Sequence, residues 1–209
     1  MDSTDAADLI AEIHEDRAEQ EQSERFRNRA ALMIALIAAV LAIGGLGGGN
    51  ATDDMVFNNI RASDTWAFYQ AKNVRQTIYE LAVDRLESEI AAAGGTPTPA
   101  QAAQLRDYRA TIARYESEPD AEAPGDPTRG EGKRELRAQA QAFEAARDQA
   151  SDRDGNFDMA EVLLQLALVL GSVAILAVNR PILWLSGILA IAGAALTLNG
   201  FLLLAPLPF

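Results

Sequence analysis

The 209-residue chain has no cysteine and only one histidine, His14. Without thiols there can be no disulfide, thiolate nucleophile, cysteinyl zinc site or iron–sulfur ligation, although the redox compartment stays open. With His14 as the single imidazole, neither a Ser-His-Asp triad nor a histidine-built metal centre is expected. Clustered base is also missing. Acids outnumber Lys and Arg by 30 to 18, giving a net charge of −12, so a nucleic-acid partner is not expected. Carboxylates are plentiful, but nothing shows a pair held in a cleft, and acids on helices usually form a solvated face. No enzyme chemistry and no cofactor are expected.

What the chain does have is long uncharged runs. Its mean hydropathy of −0.03 would suit a soluble protein, but that average conceals blocks. Residues 30–49 carry no charge, nor do residues 162–179 and 181–209. Each run is close to the ~20 residues needed to cross ~30 Å of hydrocarbon. Three buried core helices of this kind would demand a much larger soluble body than the chain can supply. The reading is an all-α membrane protein with three transmembrane helices at 30–49, 159–179 and 181–204. An acidic tail (1–29) precedes them, and a helical extramembrane stalk (50–158) lies between the first and second. The segment before the first run is long and acidic rather than short and basic, so that run reads as a retained anchor and not a signal peptide.

Arginines set the expected orientation. Arg25, Arg27 and Arg29 precede the first run, while Asp53 and Asp54 follow it. Arg180 sits in the short turn between the second and third. Positive residues stay cytoplasmic. The N-terminus and the Arg180 turn are therefore expected inside and the insert outside. In a bacterium this means an inner-membrane protein with a periplasmic stalk. Arg147 and Arg153, on the outer side of the second run, count against this assignment.

In the tail, Leu9, Ile10 and Ile13 form the only aliphatic cluster, with Asp5 or Asp8 as a candidate cap of a short helix. In the insert, residues 53–93 contain neither Pro nor Gly and read as one long helix. Ile60, Ala67, Ala71, Val74, Ile78 and Leu81 recur at steps of three and four and are its expected coiled-coil seam. Gly94 and Gly95 should end it, and Pro97 and Pro99 mark a turn. A second helix is expected over 100–117, with Leu105, Tyr108, Ile112 and Tyr115 on one face. A Pro/Gly/acid-rich loop follows. A third helix should begin near Glu131, present Leu136, Ala140, Phe143 and Ala150, and run into the second span. At 1.5 Å per residue the first helix extends ~60 Å, the second ~25–30 Å and the third ~40 Å. The last two must lie nearly end to end to match the first. A long antiparallel hairpin with a broken return leg follows, a compact three-helix bundle being the alternative.

The densest aromatic stretch is Trp66-Ala67-Phe68-Tyr69-Gln70-Ala71-Lys72, preceded by Ala62-Ser63-Asp64. Adjacent helical residues diverge by ~100°, so Trp66, Phe68 and Tyr69 cannot all enter one seam. Trp66, Phe68, Tyr69, Gln70 and Lys72 are the candidate interaction residues. Together with Asn58 and Ile60, this stretch resembles the signature of an uncharacterised bacterial membrane-protein family, a domain of unknown function. The resemblance covers most of the chain. It implies an acidic, histidine-rich N-terminal segment, one span, the aromatic-Gln-Ala-Lys helix, a charged helical region and two closing spans. Where relatives carry several histidines, this chain has His14 alone. The resemblance implies a topology and no reaction.

Residues 152–161 invite comparison with a calcium loop. Asp152, Asp154, Asp158 and Glu161 fall at ligand positions around Gly155, but Ala150 holds the first position and offers no side-chain oxygen. A charged junction between helix and membrane is the plainer reading. Within the spans, Ala31, Ala35, Ala38, Ala42, Gly45 and Gly49 form a small-residue stripe suited to close helix approach. Gln165 and Asn199 are expected to share a hydrogen bond across the second and third spans, of about 0.6–2 kcal/mol.

These features favour a non-enzymatic scaffold or accessory protein that self-associates. Its expected partners are membrane lipids, further copies of the chain and an unidentified membrane protein. The alternative is a component of a channel or transporter, although no intramembrane charge marks an ion path. A sensor is less well supported, because the cytoplasmic parts are too short for an output domain.

Overall fold

The computed structural model describes residues 3–206 and comprises four helices: α1 (Ser3–Ala92), α2 (Pro99–Glu116), α3 (Lys133–Ala177) and α4 (Arg180–Leu202). Among the described residues the only β-type pairing is a single bridge between Pro119 and Gly130. Three of the helices, α1, α3 and α4, are long and apolar enough to cross a membrane. The chain divides into two units, one of Met1–Thr52 with Ser151–Phe209 and one of Asp53–Ala150.

Where three separate segments were expected in the first 93 residues, α1 is a single helix. No proline interrupts it, and even the glycine-rich stretch at 44–49 stays helical. Asp5 and Asp8 both lie within α1. The side chains of Leu9, Ile10 and Ile13 lie outside the described set. Gly94 and Gly95, both with positive φ, end α1, and the Gly95 N–H returns to the Ile90 carbonyl. Thr98 then caps α2. Its hydroxyl accepts from the Gln101 N–H, while the Gln101 side chain accepts from the Thr98 N–H. Asn179 caps α4 by accepting from the Ile182 N–H.

In the first unit, α1, α3 and α4 pack around Ile37, Leu164 and Ala167. Their approach is close because small residues meet large ones. Phe157 of α3 is buried against Gly47 and Gly48 of α1 and Gly200 of α4, and stacks edge to face on Phe201 at 4.9 Å. A Cβ at Gly47 would lie 2.5 Å from the Phe157 ring, and one at Gly200 2.8 Å. The Ser186 hydroxyl donates to the Ala167 carbonyl at 2.7 Å, so a buried polar group on α4 is satisfied by α3.

One expectation fails here. Asn199 does not meet Gln165. Its amide donates to Asn156 Oδ1 at 2.7 Å and exchanges bonds with the Ala205 backbone, whereas Gln165 is exposed and donates to Glu161. Asn156 and Asn199 lie 23 and 20 residues from Asn179, while Gln165 is only 14 residues from it. The stretch compared with a calcium loop takes the other form considered for it, a charged helical junction. Residues 152–161 are continuous helix within α3, so their carboxylates radiate around an axis rather than converge. Asp154 instead accepts from the Thr52 hydroxyl at 2.7 Å.

The glycines facing Phe157 are therefore steric requirements. Gly47→Ala and Gly200→Ala should each destabilise the fold by about 1–3 kcal/mol through overpacking. Gly45→Ala, with nothing within 4 Å of its Cβ, should be neutral or stabilising by up to about 1 kcal/mol from helix propensity. Thermal melts of the three variants followed by circular dichroism would check this order.

Candidate functional site

Within the Asp53–Ala150 unit, α2 and α3 take up successive stretches of α1. Tyr79 of α1 meets Tyr108 and Tyr115 of α2, and Glu87 pairs with Arg109. Lower on α1, Trp66 donates from Nε1 to Glu144 of α3 at 2.8 Å, and the Arg61 guanidinium lies over the Phe143 ring. Leu136, Ala140 and Ala150 are buried on α3 as their spacing predicts, and Leu105, Tyr108, Ile112 and Tyr115 are half-buried on α2. The end-to-end arrangement demanded by helix length is present.

The face of α1 that does the packing is not the expected one. The inward positions are Asn58, Ala62, Thr65, Tyr69, Lys72, Gln76, Tyr79, Val83, Leu86 and Ile90, an unbroken alternation of four- and three-residue steps. Ile60, Val74, Ile78 and Leu81 point away, with Ile60 53% and Ile78 59% exposed. Two seven-residue patterns thus share the helix, about 150° apart at 3.5 residues per turn. The more apolar one is outward. The inward one is half polar because it must meet the acidic ends of α2 and α3.

That meeting point is the most elaborate site in the unit. Lys72 is only 5% exposed, and its ammonium lies 3.6 Å from Glu118 and 3.8 Å from Glu131, with the Phe68 and Tyr115 rings within 6 Å. Next to it, Lys133 of α3 pairs with Glu116 at 3.3 Å, donates to Asn73 at 3.0 Å and lies over Tyr69. The Gln76 amide donates to Glu116. That bond, opposed by desolvation and aided by Lys133 and Arg134, holds the Glu116 carboxyl below its ordinary range. Burial pushes Glu135 up, but the Ser117 hydroxyl and Glu118 N–H donated to it outweigh burial and bring it below that range too. The loop between α2 and α3 is thereby fastened onto α1 by charge and hydrogen bonds.

The candidate interaction residues separate accordingly. Tyr69 and Lys72 belong to the inward seam, and Trp66 stands half-buried beside it, stacking edge to face on Tyr69 at 5.5 Å. Phe68 and Gln70 are exposed. Of the stripe in residues 31–49, Ala35, Ala38, Ala42 and Gly45 all face outward, while Gly44 and Gly47 make the internal contacts. Sequence reasoning missed Gln76, Glu116, Glu118, Glu131, Lys133 and Glu135. The available signal was Lys72 and Gln76 recurring in register with Tyr69, Tyr79 and Val83.

The arrangement defines an all-helical protein in which three helices are long and apolar enough to cross a membrane and the Asp53–Ala150 unit is fastened internally by ion pairs. The chain belongs to the family described as Domain of unknown function (DUF4337), whose model matches residues 26–203. No curated protein and no solved structure matches it.

The depressed pKa of Glu135 has a testable sign. The carboxylate's contribution is complete above the ordinary glutamate pKa of about 4.3 and is lost as pH falls through the lower folded value. Glu135→Gln should cost about 1–3 kcal/mol at pH 7, since the Glu118 N–H or the Ser117 hydroxyl loses a charged acceptor. It should also flatten the stability loss between pH 5 and pH 3 that the parent protein shows. Urea titrations at both pH values would measure each effect.

Proposed function

We propose that this is a non-enzymatic, multi-pass protein of a bacterial inner membrane that serves as a scaffold or accessory subunit and assembles with further copies of itself. The N-terminal tail and the Arg180 turn lie on the cytoplasmic side, and the Asp53–Ala150 unit lies in the periplasm. Arginines before residue 30 and at position 180 support that orientation.

The observation that carries the assembly reading is the outward seam of α1. Phe57 and Ile60, and then Ala67, Ala71, Val74, Ile78 and Leu81, recur at three- and four-residue steps on an exposed face interrupted in register by Asp64, with Val56 and Phe68 (44% exposed) beside them. Such a stripe in an otherwise charged helical unit is the mark of a surface that packs on another helix. The outward small-residue stripe at Ala35, Ala38, Ala42 and Gly45 supports close approach of neighbouring spans. Closed cyclic symmetry is the usual form of such assemblies.

Mass photometry of the detergent-extracted protein should give a single oligomeric mass. Ile60→Glu with Ile78→Glu should shift it to monomer while leaving the thermal melt nearly unchanged, because both side chains are more than half exposed. Leucine at Ala38 and Ala42 should loosen the assembly separately. A monomer at every concentration in mild detergent would remove self-association. For orientation, a cysteine replacing Thr128 should react with a membrane-impermeant thiol reagent in intact spheroplasts and one replacing Ser3 should not. The opposite labelling would move the Asp53–Ala150 unit to the cytoplasm.

A further inference from the structure

A cavity of about 620 Å³ opens between the early part of α1 and the start of α4. Its polar end is lined by Arg25, Arg29 and Arg180, with Gln22 beside them, and no carboxylate among the described residues lines it. Arg25 has an outside partner, Glu21, at 3.1 Å. The remaining wall is apolar: Met33, Leu183, Gly187, Ile188 and Ile191. Trp184, one turn into α4 and largely exposed, stands at the boundary between the two halves.

A second groove of about 330 Å³ continues from it. It shares Met33, Gly187 and Ile191 with the first and extends along Leu36, Val40 and Ala194, with no charged residue in its lining. The two together form one slot, cationic at one end and apolar along its length. From Arg29 to Val40 the helix rises about 16 Å, which matches the roughly 15 Å of hydrocarbon in one leaflet. Gly187 keeps the slot open, since a Cβ there would meet only the Met33 sulfur, at 3.9 Å.

We propose that this slot seats an anionic phospholipid, with the phosphate held by Arg29, Arg180 and Arg25 and one acyl chain lying along Gly187, Ile191 and Val40. The inference rests on the membrane reading above. Arginine suits this role because its fork donates two parallel hydrogen bonds to phosphate oxygens. Arg29 and Arg180, with Arg25 partly offset by Glu21, line the slot without a lining acid and favour a headgroup of net negative charge over a zwitterionic one, and basic pockets between spanning helices are a known way of holding such headgroups. Trp184 lies where an amphipathic ring is stable, at the level of the headgroups. The shape argues for a lipid over a free anion, because a phosphate alone would leave the apolar groove along Leu36, Val40 and Ala194 unfilled.

The test is native mass spectrometry of the full-length protein titrated with phosphatidylglycerol, phosphatidylcholine or inorganic phosphate. Phosphatidylglycerol should bind at least about fivefold more tightly than phosphatidylcholine. Arg29→Gln with Arg180→Gln should abolish that preference, weakening phosphatidylglycerol binding by about tenfold or more, whereas the lysine pair should keep most of it. Gly187→Leu, which leaves the charges in place, should weaken binding of both lipids by occluding the chain groove. Circular dichroism confirms that each variant is folded. Equal affinity for the two lipids, full binding by the glutamine pair, or displacement of phosphatidylglycerol by millimolar inorganic phosphate would each overturn the proposal. Flotation with phosphatidylcholine vesicles separates the two readings. A protein that floats without preferring phosphatidylglycerol loses only the lipid site, and one that floats with neither vesicle loses the membrane reading itself.

Discussion

A single uninterrupted helix of ninety residues sets the terms for every other element. Within their own units, α2, α3 and α4 all pack against α1, so the residues α1 turns inward decide what each partner must supply. In the first unit it presents Ile37, Gly44 and Gly47, and its partners answer with Leu164, Thr197 and Phe157. In the second it presents Lys72 and Gln76, and its partners answer with Glu116, Glu118 and Glu131. A buried ammonium costs several kcal/mol unless it is compensated. The break between α2 and α3 falls where carboxylates can reach Lys72. Both of its ion-pair partners retain water contact, so the pairs offset desolvation more than they add stability.

The helix ends from Ala92 onward were legible because prolines and paired glycines are local signals, whereas the fusion of tail, first apolar run and insert into one α1 was not. Helix lengths alone also gave the successive packing of α2 and α3, since a rise of 1.5 Å per residue admits few other arrangements. The seam of α1 was not legible by the same route. Counting apolar residues at three- and four-residue steps finds Ile60, Val74, Ile78 and Leu81, because that face is the more hydrophobic. Periodicity cannot rank two faces that both repeat every seven residues. What decides between them is nonlocal: the acids of a loop more than forty residues away stabilise Lys72 inside, and Tyr108 and Tyr115 fill the space beside Tyr79.

The same limit applies within residues 30–49. Small residues occur on both sides of that helix, and a stripe of them reads equally as an internal or an external surface. Phe157 breaks the tie, because its ring needs Gly47, Gly48 and Gly200 around it. That requirement turns Ala38, Ala42 and Gly45 outward. Likewise, the Asn199 partner depends on the depth of each polar residue from the Asn179 turn. A comparison by residue count from that turn selects Asn156 over Gln165.

On the proposed reading the outward faces act together. Burying the exposed half of Phe57, Ile60, Val74, Ile78 and Leu81 against a like helix is worth about 1 kcal/mol each. Association of free partners costs on the order of 4–15 kcal/mol in lost freedom. The seam alone therefore sits near break-even, and Asp64 within it lowers the gain further. On the proposed reading, the small-residue stripe at Ala35, Ala38 and Ala42 supplies a second contact on the same continuous helix. Two weak contacts on one element act as linked modules, so formation of the first raises the effective concentration for the second to about the millimolar range. Neither surface then needs to be strong, and the Asp53–Ala150 unit can keep a charged exterior while still joining its neighbours.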